Sequence, residues 1–370
     1  MQPESLFFFQ SFSLVRIMRI LPIFALLAVA LAGQARADLT FNITSTGNAE
    51  ADAGFAQAAA FWSGIFDDDV TVNVTAGFSN LGGSILGQAG SALGTVSYDS
   101  FRNAMAADAM SADDATMVAS LPGGSSFDVF INRTSEATGT NGATPYLDND
   151  GGANNTSVRL TRANAKALGL INGNLAGADT NITFNSQFTF DFDPSNGIDS
   201  GAIDFVGVAI HELGHAMGFI SGVDSVDFNS PPNRGNFLND DFFDDVSPLD
   251  FTRHSPDSLA AGADLDFTAD NRAKFYSLDG GVTAGAPGMN HFSRGVVHGD
   301  GRQASHWRDG LGLGIMDPTA APAGNLNIVT ALDIQAFDII GWNLTSVPEP
   351  SSFGILSVIG LGVLARRRRR

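Results

Sequence analysis

Apolar residues recur at helical spacing over residues 50–65, where Phe55, Ala59, Phe61 and Trp62 form a stripe, and this spacing predicts an amphipathic helix. Val70-Thr71-Val72-Asn73-Val74 alternates with a period of two and predicts a half-buried strand. A second helix is expected over about residues 100–109 and a short one over 162–169. Further strands are expected at 127–131 and 182–184. Residues 137–156 are rich in Gly, Asn, Asp and Thr without a period, which predicts a loop. The character changes at Phe205–Phe219. Val206, Ile210, Leu213 and Met217 share one face, and Val208, Ala209 and Phe219 extend the apolar character nearly all round, so this helix is expected to be buried. Residues 220–305 lose the pattern and read as an irregular insertion. Order returns over 326–342: Thr330 and Asp333 fit a capping-box-like start, Leu332, Ala336, Phe337 and Ile340 line one face, and Gly341 fits the stop.

Helix and strand alternation leading into one buried helix predicts an α+β fold. A mixed α/β N-terminal lobe is expected over 38–222, and an irregular C-terminal lobe ending in a helix over 223–347. Both ends read as processing signals. Arg16 and Arg19, the apolar run from Ile20 to Ala32 and Ala35-Arg36-Ala37 have the parts of a secretory signal peptide spanning 1–37. At the other end, Pro348-Glu349-Pro350 is followed by an apolar run from Phe353 to Ala365 and by Arg366 to Arg370. That run is short for a membrane span, and the arginines would stay on the cytoplasmic side.

The full chain carries a net charge of −19. Eight of its basic residues lie in the two ends, so the stretch between them is more acidic still, near −25. That balance repels nucleic acid and anionic membrane, and it hints at basic substrates. The absence of cysteine excludes a disulfide framework, thiolate ligands and a cysteine nucleophile. Gly310-Leu311-Gly312-Leu313-Gly314 superficially resembles a nucleotide loop, but no strand is expected before it and no helix directly after it.

The buried helix carries the chemistry. His211-Glu212-Leu213-Gly214-His215 places two imidazoles four residues apart, on one helical face, where both can hold the same metal ion. Glu212 points sideways, where it can take a proton from water beside that metal. Two imidazoles and a carboxylate in an otherwise apolar helix are costly to bury, and a metal removes the cost. The pattern is therefore expected to bind one catalytic zinc ion through His211 and His215, with Glu212 as general base in peptide hydrolysis. Gly218 is expected to let the chain turn sharply after the helix. A catalytic zinc needs a third protein ligand. No glutamate lies between Glu212 and Glu349, and position 221 is a serine, which leaves Asp224, His254, His291, His298 and His306.

Taken together, the run from His211 to Phe219, Ser305-His306-Trp307, Gly314-Ile315-Met316-Asp317-Pro318 and the helix ending Ile340-Gly341-Trp342 resemble the leishmanolysin-type metzincins over about residues 203–342. The resemblance implies a metzincin-like zinc peptidase in which an insertion separates the motif from His306 as third ligand. It also implies Met316 as the methionine of a turn beneath the metal, in preference to Met289, which precedes His306. The C-terminus resembles the PEP-CTERM sorting tail of Gram-negative exosortase substrates. This implies cleavage near residues 348–350, release to the cell surface or beyond, and contact with the membrane only through the tail. The expected function is thus a secreted or cell-surface zinc endopeptidase acting on protein or peptide. The alternative is a non-catalytic matrix or adhesion protein on the same scaffold, which Glu212 disfavours because a structural zinc needs no base. Tyr98, Tyr146 and Tyr276 receive no role. Asp148-Asn149-Asp150-Gly151 and the acidic stretch Asp240 to Asp245 are candidates for Ca2+, although neither forms a full coordination loop and solvated turns are the simpler expectation.

Overall fold

A computed structural model of the chain describes residues 38–283 and 291–345. The expected leader, the sorting tail and Met289 lie outside the described residues. Asn48 accepts hydrogen bonds from the N–H groups of Glu50 and Ala51 and so starts α1 (Ala49–Ile65), the helix that the apolar stripe predicts. Before it lies β1 (Thr40–Ile43) and after it β2 (Thr71–Ser79), which buries the alternating Val72 and Val74. β3 (Gly87–Ser91), β4 (Leu93–Ser97), α2 (Tyr98–Asp108), α3 (Ala112–Ser120) and β5 (Val129–Ile131) follow. The stretch 137–156 is not only a loop, because it contains β6 (Tyr146–Asp148) and α4 (Ala153–Thr156). β7 (Ser157–Thr161), α5 (Arg162–Ala167), β8 (Thr180–Asn185), β9 (Phe190–Asp191) and β10 (Ile203–Asp204) lead into α6 (Phe205–Met217).

One sheet has the order β1-β2-β8-β3, with β3 antiparallel to β8 and the other pairs parallel. β3 is therefore an edge strand. α6 packs between α1 and β3. Phe205, the first residue of α6, sits against Phe55 and Phe184 with ring centroids 5.3 and 4.3 Å away, which locks the start of α6 to both α1 and the sheet. Midway along α6, the Trp62 indole donates to the carbonyl of Ile210 at 3.1 Å, and near its end the Trp342 indole donates to that of Met217 at 2.7 Å.

The expected insertion is more ordered than its composition suggests. It holds α7 (Val223–Phe228), β11 (Arg253–His254), α8 (Pro256–Ala261), β12 (Leu265–Asp266) and β13 (Phe275–Tyr276). β12 pairs with β5, so the insertion is stitched into a sheet built from much earlier residues. Two-residue strands are too short to impose a period on the sequence, which is why the pattern misses them. The two acidic stretches are turns with Asn149, Asp150, Asp241 and Phe242 exposed, each anchored by one buried aspartate. They pack together, with Asp148 and Asp240 buried, the Tyr146 hydroxyl donating to Asp240 and the Ala153 N–H donating to Asp241. The closing helix is α9 (Ala331–Asp338), whose capping box of Thr330 and Asp333 is as expected. The fold is thus mixed α/β with several small sheets, compatible with α+β.

Where the last turn of α9 meets α2 and α3, carboxylates crowd. The Asn343 amide donates to Asp68 at 3.2 Å and Asp108 at 3.1 Å, and the Ser111 hydroxyl donates to Asp338 at 2.7 Å. Burial pushes Asp68 up to about 7, and Asp108 and Asp338 up to about 6. These folded-state values lie above the ordinary carboxylate value, so the protonated forms stabilise the fold. That contribution is fully present below about pH 4 and is lost as pH rises through 6 to 7. Asp108→Asn removes one charge and keeps an acceptor for Asn343. We expect it to stabilise the protein at pH 7.5 by about 1 kcal/mol, after screening at a half-exposed site, and to have little effect at pH 4. Thermal unfolding of both proteins across that range checks this.

Candidate metal centre

α6 is placed by its first turn. Asp204 caps it by accepting the Gly207 N–H at 2.9 Å, and its other carboxylate oxygen accepts the Asn327 N–H at 2.9 Å. The helix ends at Gly218 with φ +122°, a conformation that costs a side chain dearly, so the expected turn is present. The tight exit brings the Phe219 carbonyl within 2.7 Å of His215 Nδ1.

The three histidines His211, His215 and His306 converge. Their Nε2 atoms lie 3.1 Å apart for His211 and His215 and 3.2 Å apart for His215 and His306. Each Nδ1 faces a backbone carbonyl: Ile315 at 2.7 Å for His211, Phe219 at 2.7 Å for His215 and Gln303 at 3.3 Å for His306. A carbonyl can only accept, so Nδ1 is the protonated nitrogen on each ring. In the neutral form every Nε2 then presents a lone pair. Burial, together with the mutual repulsion of the rings, drives His306 well below the ordinary histidine value and His215 down to about 3, and burial also lowers His211. Three lone pairs at such distances repel unless a cation lies among them. The donor set therefore fits a metal, and among the described residues this is the one group of three or more His, Asp or Glu side chains so disposed.

Glu212 stands beside this group, 5 % exposed, and no described residue donates a hydrogen bond to its carboxylate. Burial pushes it up to about 8. A dication among the histidines would pull it back down. The space it occupies exists because position 87 is glycine: a Cβ there would lie 2.8 Å from Glu212 Oε1. Histidines and glutamate open onto a cleft of about 1610 Å3, with β3 as one wall.

Met316 is fully buried beneath the helix. A Cβ on Gly214, between the two motif histidines, would meet Met316 Sδ at 2.7 Å and Phe337 Cζ at 3.0 Å. We expect Gly214→Ala to cost about 1–3 kcal/mol through overpacking, more than the gain of about 1 kcal/mol in helix propensity, as read by denaturant unfolding. The turn holding Met316 hangs on Asp333. That carboxylate accepts from the N–H of Ile315 at 2.9 Å, the N–H of Met316 at 3.2 Å and the Trp307 indole at 2.8 Å. Asp333 was legible as a helix cap alone; its second duty had no sequence signal, because its partners come from two other segments. The same holds for Gly87 and Gly214.

The remaining ligand candidates lie elsewhere. Asp224 accepts the N–H groups of Ala304 at 2.6 Å and Ser305 at 3.2 Å, and burial pushes its carboxyl up to about 6. His298 is 2.9 Å from the Ser230 hydroxyl. His291 bridges Phe275 through its backbone. His254 is fully buried in β11, whose pairing with β13 carries it into the interior, and it is not among the three converging histidines. Of the tyrosines, Tyr98 donates to the Pro122 carbonyl, Tyr146 to Asp240, and Tyr276 packs on Phe292 and Trp307; none lines the cleft.

Comparison of the chain with protein-family models, with curated proteins and with solved structures gave no match.

Proposed function

We propose that this chain is a zinc-dependent endopeptidase of metzincin-like architecture, exported by its leader and processed at its sorting tail. One observation carries the reading: three imidazoles converge through Nε2, each oriented by a carbonyl on Nδ1, with a buried carboxylate that has no hydrogen-bond partner among the described residues beside them on an open cleft. Three neutral nitrogens, with no fourth ligand among the described residues, are the donor set of a catalytic zinc, whereas a structural zinc is closed by four. When bound, zinc would polarise both water and the scissile carbonyl.

The chain's own residues supply the rest. Glu212 accepts the proton of the attacking water at its carboxylate and returns it to the leaving amine. Its low exposure keeps competing solvent away, and among the described residues no donor occupies its lone pairs. Among the described residues no strand pairs with the outer edge of β3, which lines the cleft, and an extended polypeptide can add there as a further strand. Ile85, Leu93, Val296, Leu326 and Ile328 are exposed along the same cleft, so it favours apolar side chains near the scissile bond. The arginines of the rim are already committed, Arg159 to Asp245 and Arg302 to Asp309. Mass spectrometry of an unfolded polypeptide incubated with the protein tests the reading. New N-termini next to apolar residues, suppressed by a chelator, are expected; an intact polypeptide in the presence of zinc would contradict it.

A further inference from the structure

His306 is 91 residues from His215, and a ligand that remote must be held in place by something other than the motif helix. Its main chain is pinned on several sides. The Ser293 N–H donates to the His306 carbonyl at 3.0 Å, and the Trp307 N–H donates to the Met316 carbonyl at 3.0 Å. From the other direction comes α7, which begins six residues after the motif helix ends. Its Asp224 clasps the two N–H groups that immediately precede His306, those of Ala304 and Ser305. Arg253, itself buried, donates to the Ala304 carbonyl at 3.4 Å and faces Asp224 electrostatically. Both the N–H and the C=O of the Ala304–Ser305 peptide unit, one residue before His306, are thus held by charged groups.

One turn later on α7, Asp227 makes the same kind of clasp on a different pair of N–H groups, those of Val297 and His298, each at 2.8 Å. The two aspartates share a helix, a chemistry and a bond pattern. They differ in which segment they hold, and only Asp224 holds the one carrying the third imidazole.

We propose that Asp224, rather than being a ligand, is a positioning residue that sets the third imidazole of the metal centre from the motif side of the fold. The inference rests on the reading of the three histidines as a metal site. A carboxylate accepting two backbone N–H bonds fixes a short segment more tightly than a neutral acceptor. Outer groups that orient a ligand contribute roughly 10–100-fold to metal affinity.

The test compares wild type with Asp224→Ala, Asp224→Asn and Asp227→Asn as full chains. Zinc affinity is measured by competition with a chromogenic chelator, ligand geometry by the visible spectrum of the Co2+ form, and folding by thermal unfolding. Asp224→Ala should bind zinc roughly 10–100-fold more weakly, with an altered Co2+ spectrum. Asp224→Asn keeps one acceptor, so it should fall between that variant and wild type and supplies the answer if Asp224→Ala does not fold. Asp227→Asn should retain wild-type affinity and spectrum. Unchanged affinity and spectrum in a folded Asp224 variant would overturn the inference, as would an equal loss in Asp227→Asn. A wild-type protein that takes up no zinc would overturn the metal reading itself, which keeps the two failures apart.

Discussion

Glu212→Gln should leave the protein folded and able to bind zinc while lowering peptide hydrolysis by about 10²–10⁴-fold, the usual range for a positioned general base. The substitution keeps the size of a side chain that is 5 % exposed and packed against Gly87, so neither cavity nor clash is introduced. It also replaces a buried carboxylate by a neutral amide. Burial alone pushes Glu212 up to about 8, so the folded protein without metal should tolerate the amide as well as or better than the acid. Metal content should not fall, because Glu212 is outside the group of three histidines. The expected signature is therefore a large drop in kcat with unchanged zinc stoichiometry and undiminished thermal stability. Hydrolysis at the wild-type rate would remove Glu212 from the mechanism.

His306→Ala is expected to have the larger effect on the metal. It deletes one of three converging lone pairs and leaves His211 and His215 as a two-point grip. Affinity for zinc should fall by more than the 10–100-fold assigned to groups that merely orient a ligand, and hydrolysis should fall to background. His298→Ala and His291→Ala should retain the metal, because neither ring joins the group. His254→Ala should lose stability without losing zinc, since its ring is buried in β11. If His306→Ala kept wild-type affinity and a second histidine variant lost it, the ligand set would have to be redrawn.

These expectations show what the sequence can and cannot reveal about this site. The motif helix was legible because it leaves a dense local mark: apolar residues all round, two histidines four apart and a glycine at the stop. The long helix α1 was legible through its apolar stripe of Phe55, Ala59, Phe61 and Trp62. The third histidine was different. Residue chemistry alone left five candidates, and only a family resemblance singled out His306, which the geometry independently brings to His211 and His215. Its supports were not legible, because Asp224 and Arg253 act through backbone groups of a distant segment, and backbone hydrogen bonds leave no trace in residue type. The edge strand β3 escaped notice for a related reason. Gly87, Gln88, Ala89, Gly90 and Ser91 have no apolar alternation, since one neighbour is Glu212 and the other wall is open cleft. The insertion misled in the opposite direction: a composition of Asp, Gly, Pro and Asn suggested disorder of pattern, yet two-residue strands and aspartate clasps on α7 give it defined structure.

The most direct test of the account is to strip the protein of metal, add zinc in increments and follow cleavage of an unfolded polypeptide. Three histidines forming one site predict negligible activity in the stripped protein, a linear rise, and a plateau at about one zinc per chain. Activity in the stripped protein, or none at any zinc level, would contradict the claim that these histidines hold the metal on which peptide hydrolysis depends.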